Sequence, residues 1–239
     1  MIAWNGTAYD ALPLPHVEWG KRAIAALNLT GSEILLDAGC GTGRDAELAL
    51  SMLTTGSLIC VDGSDTMLEQ CATRFTGNPK VSILQSDLNL PLPVEHNSVD
   101  AIMTVAALHW LPSHDQVWQH FYRALKPGGR LVVDAGGFGN LDSTLHTART
   151  IDPAAYFPDW YYAKDTDTHE LLTEAGFSNI QVQLRPHPTP LPDTETLFTY
   201  LKTLVFREWS DEKLRALAEI LPDRNLDYVR LEVRANKPI

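Results

Sequence analysis

The chain has 239 residues, 44% hydrophobic and 21% charged, enough for one large α/β domain with a sizeable core. Its formal net charge is −11 and it carries no run of Lys or Arg, so nucleic acid is not expected as a partner. The opening "MIAWNGTAYD" lacks the basic start of a secretion signal, and no stretch reaches the roughly 18 apolar residues that span a bilayer, so a cytoplasmic protein without membrane association is expected.

In chain order, residues 16–28 place Val17, Ile24 and Leu27 near one helical face and predict a helix. "EILLDAG" (33–39) predicts a buried strand, "RDAELALSML" a helix, and "SLICVD" (57–62) a second strand. Ser64 reads as the N-cap of "DTMLEQCATRF". "VSILQSD" (81–87) and "DAIMTVAAL" (100–108) predict the third and fourth strands. "HDQVWQHFYRALKPGG" predicts a helix stopped by Pro127 and Gly128, and "RLVVDAG" (130–136) a fifth strand. Strand and helix alternate through 33–136, which argues for a parallel sheet with helices on both faces and a ligand beyond the carboxyl ends of the strands. Asp37, Asp62 and Asp87 fall at or near three of those ends, and Asp134 lies close to another.

After residue 136 the rhythm changes to a glycine loop, a helix over about 142–151, and the aromatic stretch "DPAAYFPDWYYAKD". "THELLTEAGF", "TETLFTYLKTLVF" and "DEKLRALAEIL" predict helices. "NIQVQLR" and "DYVRLEVRANK" predict two last strands forming an antiparallel edge. Cys40, Cys60 and Cys71 match no zinc spacing and read as buried reduced thiols.

Gly41-Thr-Gly43-Arg-Asp-Ala46 fits the G-x-G-x-x-A loop of a dinucleotide site, with Asp62 placed to hold a ribose. That reading leaves a nicotinamide-dependent oxidoreductase open. Extended upstream, the run is Asp37-x-Gly39-x-Gly41-x-Gly43, which resembles the cofactor loop of class I S-adenosylmethionine-dependent methyltransferases. "CVDGSDTML", "LQSDLNLPLP" and the stretch from "VDAIMTVAALHW" through "LKPGGRLVV" resemble that family's later motifs. "GGFGNLD" and the closing strand resemble its small-molecule branch, which includes trans-aconitate methyltransferases. One departure is Gly63, where the family often has an apolar residue.

The resemblance implies a Rossmann-like, seven-stranded, mostly parallel sheet and a single methyltransferase domain over 1–239. Within it, residues 1–30 are a cover, 31–136 the cofactor core, and 137–168 and 187–224 acceptor-side insertions. It implies S-adenosylmethionine as cofactor, held by Asp37, Gly39, Cys40, Gly41, Thr42, Gly43, Asp62, Gly63, Met67, Asp87, Leu88 and Ala106. Asp37 and loop carbonyls suit the ammonium, Asp62 the ribose hydroxyls, and Asp87, Leu88 and Met67 the adenine. His109 stands where methyl transfer is expected, as a substrate contact or base. Tyr9, His16, Trp110, Trp160 and Arg207 are candidates for the acceptor, with Tyr161, Tyr162, Arg149 and Arg185 further ones. Trp19 reads as packing. In-line displacement of an activated methyl needs alignment more than charge stabilisation, so no metal is expected. The acceptor reads as a small molecule, first among them a carboxylate. A non-catalytic cofactor-binding subunit is the remaining alternative.

Overall fold

The apolar runs become strands buried on both faces. In β1 (Ile34–Ala38), Leu35 packs into one core and Leu36 into the other. In β4 (Val99–Val105), Met103 and Ile102 divide in the same way, as the two-residue period of a strand requires. The computed structural model describes residues 4–10, 16–154 and 160–239. Part of the expected cover, 11–15, lies outside the described residues, as do 155–159 and the side chain of His16.

With β2 (Ser57–Asp62), β3 (Val81–Gln85), β5 (Leu125–Gly136), β6 (Ser178–Pro190) and β7 (Asn225–Asn236), these strands form one sheet in the order β3-β2-β1-β4-β5-β7-β6. β7 runs antiparallel between β5 and β6, and the other pairs are parallel. The order reverses between β1 and β4, and that is where a doubly wound sheet opens its crevice. α2 (His16–Leu27), α3 (Arg44–Leu50), α8 (Thr194–Tyr200) and α9 (Asp211–Ile220) share one core, which contains Trp19, Leu27, Leu197 and Leu214. α5 (Val117–Ala124) and α7 (Asp165–Glu174) cover the opposite face through Trp118, Phe121 and Leu172. α1 (Gly6–Asp10), α4 (Asp65–Arg74) and α6 (Asp142–Ile151) complete the helices used below.

Two expectations need correction. The helix expected to stop at Pro127 and Gly128 ends at Ala124, and Leu125 is already extended. Lys126 precedes a proline, which disfavours helical backbone, and the chain joins β5 instead. The strand expected over 179–185 extends to Pro190 as β6. Pro186, Pro188 and Pro190 occupy alternate positions, so their missing N–H groups share one side of an edge strand, where none is needed. Among the described residues no helix is long and apolar enough to cross a membrane.

Candidate active site

The loop after β1 is pinned to β2: the N–H groups of Gly39 and Cys40 donate to the Val61 carbonyl at 2.7 and 3.0 Å. Gly39, Gly41 and Gly43 all have left-handed φ, of 79°, 54° and 82°. A Cβ at Gly39 would lie 2.3 Å from the Ala107 Cβ, and one at Gly43 2.8 Å from the Phe75 ring. A Cβ at Gly41 would meet nothing within 4 Å. The outer glycines therefore let the loop pack on protein, whereas Gly41 faces a cleft of ≈ 1330 Å³ at the β1/β4 crevice. Gly43 stands at the N-cap of α3, where a Cβ would meet Phe75 and Cys71.

Asp62 holds the loop from the next strand. Its Oδ2 accepts the Gly41 N–H at 2.9 Å and its Oδ1 accepts the Ser64 N–H at 2.9 Å. Burial pushes its carboxyl up against the pull of those bonds. Asp37 is 2% exposed, and its buried Oδ2 accepts no hydrogen bond from the described residues. Burial pushes its carboxyl well above the usual range, and the neighbouring Asp45 and Asp62 add to this. Asp45 is pushed up to about 7, by burial first and Asp134 second, with Arg44 opposing. It occupies space left by Gly20 of α2, where a Cβ would fall 1.8 Å from its Oδ1. Buried carboxyls with this little compensation favour a cationic ligand group.

Farther along the cleft, Met67 and Leu88 are buried and Gly63 and Asp87 border them. Asp87 Oδ1 accepts from the Asn89 backbone N–H at 2.9 Å and from Asn89 Nδ2 at 2.8 Å. Ser64 caps α4 through the Met67 N–H, as its position predicts.

α1 lies over the loop and is tied down by Asp10. That carboxylate accepts from Thr42 Oγ1 at 2.8 Å, Arg44 Nε at 2.9 Å and Arg74 Nη2 at 2.9 Å. Gly6 permits close approach to α4, since a Cβ there would sit 2.4 Å from the Thr66 carbonyl oxygen. Tyr9 lines the cleft, and burial pushes its phenol up.

At the other end, β4 gives way at Ala106, whose φ is 55° and whose N–H donates to the Asp134 carbonyl at 2.7 Å. A single 3₁₀ turn, Leu108–Trp110, follows, so His109 and Trp110 stand just beyond the strand. The Gly136 N–H donates to His109 Nδ1 at 3.2 Å. That nitrogen is an acceptor, so the neutral ring carries its proton on Nε2. Trp110 packs edge-on against Trp4 and Trp160 at centroid distances of 4.9 and 5.9 Å, and His109 lies 6.0 Å from Tyr162. The Arg207 guanidinium sits 4.1 Å from the Trp4 ring centroid and 5.5 Å from that of Trp110. A π turn, Leu201–Val205, after α8 carries the chain toward that position, the Phe206 N–H bonding the Leu201 carbonyl at 2.7 Å.

The structure thus brings Tyr9, Asp37, Gly39, Cys40, Gly41, Thr42, Asp62, Gly63, Met67, Asp87, Leu88, Ala106, His109, Trp110, Trp160 and Arg207 onto one cleft. Three candidates fall elsewhere. Arg149 is exposed on α6, Arg185 pairs with Glu232 at 2.7 Å, and Tyr161 packs edge-on against His114. Asp134 is committed to a buried pair with Arg230 at 2.7 Å, which also lies over the Trp19 ring. Trp4, Asp10, Gly20 and Asp45 were not singled out from sequence, because nothing near them in the chain announces what they meet in space.

A family model described as a methyltransferase domain matches residues 36–133. The trans-aconitate 2-methyltransferase of Variovorax paradoxus is 29% identical over 133 residues, 56% of this chain and 50% of that protein. The malonyl-[acyl-carrier protein] O-methyltransferase of Methylococcus capsulatus is 26% identical over 211 residues, 87% of this chain and 76% of that protein. The chain thus spans about half the length of the trans-aconitate relative that it matches. The crystal structure of YcgJ from Bacillus subtilis superposes with a TM-score of 0.69 at 19% identity, covering 94% of this chain and 100% of that one. Phosphoethanolamine N-methyltransferase 2 of Haemonchus contortus, solved with S-adenosyl-L-methionine, superposes at 0.65 and 20% identity, over 93% of this chain and 53% of that one. A glycine loop with its open face at Gly41 and a buried Asp37 Oδ2 that lacks a hydrogen-bond partner among the described residues fit this cofactor, whose amino-acid end carries an ammonium and which has no phosphate. Residues 36–133 are thus similar to a methyltransferase domain, and the fold is shared with solved methyltransferase structures.

Proposed function

We propose that the chain methylates a carboxylate oxygen of a small acid whose body is flat and largely apolar. His109 carries this reading: with Nδ1 accepting from Gly136, the neutral imidazole offers the cleft a donor and not a base. A carboxylate acceptor needs no base, whereas a phenol or an ammonium must lose a proton. The acceptor end supports the same reading. Its walls are the Trp4, Trp110 and Trp160 rings, with Arg207 laid across two of them. Of the other arginines on the cleft, Arg44 pairs with Asp10 and Arg230 with Asp134. Aconitate and the malonyl group, in the names of the two relatives above, are both carboxylates.

In this reading Asp37 and Asp45 answer the cofactor ammonium, Asp62 the ribose hydroxyls, and Met67, Asp87 and Leu88 the adenine. The bound cofactor supplies an activated methyl group on a sulfonium. Arg207 and His109 Nε2–H orient the acceptor carboxylate, and the tryptophan walls with α1 exclude water. Described segments within 1–30, 137–168 and 187–224 form the cover and acceptor side, and a cytoplasmic setting suits a small-molecule enzyme.

A labelled-methyl assay over a panel of small acids, phenols and amines tests this. The expected product is a base-labile methyl ester formed fastest from aromatic or apolar monoacids. Turnover of phenols or amines with none of acids sinks the carboxylate reading. Cofactor binding without turnover of any acceptor favours the non-catalytic subunit.

A further inference from the structure

Cys40, Cys60 and Cys71 come from the glycine loop, β2 and α4. Their sulfurs lie within 4.8 Å of one another, and all three residues are buried. Three thiolates at bonds of about 2.3 Å around one pyramidal ion stand roughly 3.5 Å apart, so the cluster closes on an ion by moving its sulfurs inward. The Cys40 thiol donates to the Gly41 carbonyl at 3.6 Å. We propose that this cluster is a three-thiol site for a trivalent, three-coordinate thiophilic ion of the arsenite class.

The donor set and its burial select the occupant. All three donors are soft sulfurs. Zinc in a closed site takes a fourth ligand, and its tris-thiolate complex carries a net negative charge. Such a charge is opposed here, because all three residues are buried. Arg74, the cation beside Cys71, is committed to Asp10 and Glu47 at 2.9 and 2.7 Å. A trivalent ion on three thiolates is neutral and needs no counter-charge. The exchange balances without redox change: As(OH)₃ and three thiols give As(SR)₃ and three waters. Where Cys71 starts as thiolate, one proton comes from solvent. Entry is through the cleft, which Cys40 borders at 8% exposure. The site is defined by the three sulfurs alone and does not rest on the methyl transfer proposed above.

The test is native mass spectrometry of the reduced full chain with sodium arsenite, zinc chloride and no addition. The expected adduct is one arsenic per chain with loss of three hydrogens. It should disappear in Cys60→Ser and in Cys71→Ser, and zinc should give no adduct at equal concentration. Iodoacetamide labelling of the unsubstituted chain under denaturing conditions gives a reading that does not depend on the variants folding. Arsenite should protect all three thiols. An adduct that loses only two hydrogens, one that survives Cys60→Ser, a zinc adduct at equal concentration, or labelling unchanged by arsenite overturns the proposal.

Discussion

Gly39 and Gly41 share a left-handed backbone and differ in what a side chain would meet, so two alanine substitutions separate folding from ligand binding. An L-residue in that conformation costs about 1–2 kcal/mol. Gly41→Ala incurs that cost alone, since its Cβ enters open cleft. For a chain of this size the melting point should fall by roughly 2–8 °C. Gly39→Ala adds an overlap at 2.3 Å with the Ala107 Cβ, which has no flexible end to move. Overpacking of that kind adds about 1–3 kcal/mol, so its total is roughly 2–5 kcal/mol. Cofactor affinity should behave in the opposite sense in Gly41→Ala, where the new methyl occupies the face that Asp62 orders through the Gly41 N–H. We expect a loss of at least about tenfold, or 1.4 kcal/mol, at nearly intact stability. Differential scanning fluorimetry gives the first quantity and calorimetric titration with S-adenosylhomocysteine the second. Unchanged affinity in Gly41→Ala, or a larger stability loss there than in Gly39→Ala, refutes the assignment of Gly41 to the cofactor surface.

Further predictions follow from the same cleft. Asp45, held at about 7, must ionise to face the cofactor ammonium, so affinity should rise about tenfold per pH unit below 7 and level above it. Asp45→Asn should remove the break near pH 7 in a titration series. Without cofactor the sign reverses. A carboxyl raised on folding contributes stability at low pH that is lost as pH rises from the ordinary carboxylate range through about 7, which pH-dependent melting will show. With an acid acceptor, kcat should show no histidine break over roughly pH 6–8, and His109→Gln, which keeps a donor, should retain more activity than His109→Ala. Arg207→Met should raise KM for the acid by roughly ten- to a hundredfold, the loss of a charge-assisted hydrogen bond, with kcat changed far less. Asp10→Ala should increase amide exchange in residues 4–10 and weaken cofactor binding by less than about tenfold, because Asp10 and its arginines are partly exposed.

The cofactor end of this site was legible because its determinants are local. Asp37, Gly39 and Gly41 occupy one turn of loop, and Asp62 closes the adjacent strand, so the motif that carries the family resemblance lies within a short span. The sheet was legible for a similar reason: continuous apolar strands alternating with amphipathic helices admit few arrangements. What escaped depends on distant partners. Asp45 is unusual only because α2 presents Gly20 to it, and Asp10 only because Arg74 reaches it from α4. The cysteines match no metal spacing because loop, strand and helix each deliver one.

The two ends of the cleft differ in charge, and that difference bears on the reaction. Asp37, Asp45 and Asp62 crowd the cofactor end, where burial holds their carboxyls above the usual range. Arg207 stands at the acceptor end among tryptophans, where burial lowers its pKa. On the function proposed above, the cofactor ammonium faces the carboxyls and an anionic acceptor faces Arg207. Methyl transfer from sulfonium to carboxylate then removes a positive and a negative charge at the centre, a change that a dry aromatic cleft favours and water opposes. A neutral phenol would bring no such charge to Arg207 and leave a proton to place, with His109 Nδ1 already committed to Gly136. On that proposal, the tryptophan walls that exclude water also raise the cost of an acceptor whose charge does not match Arg207.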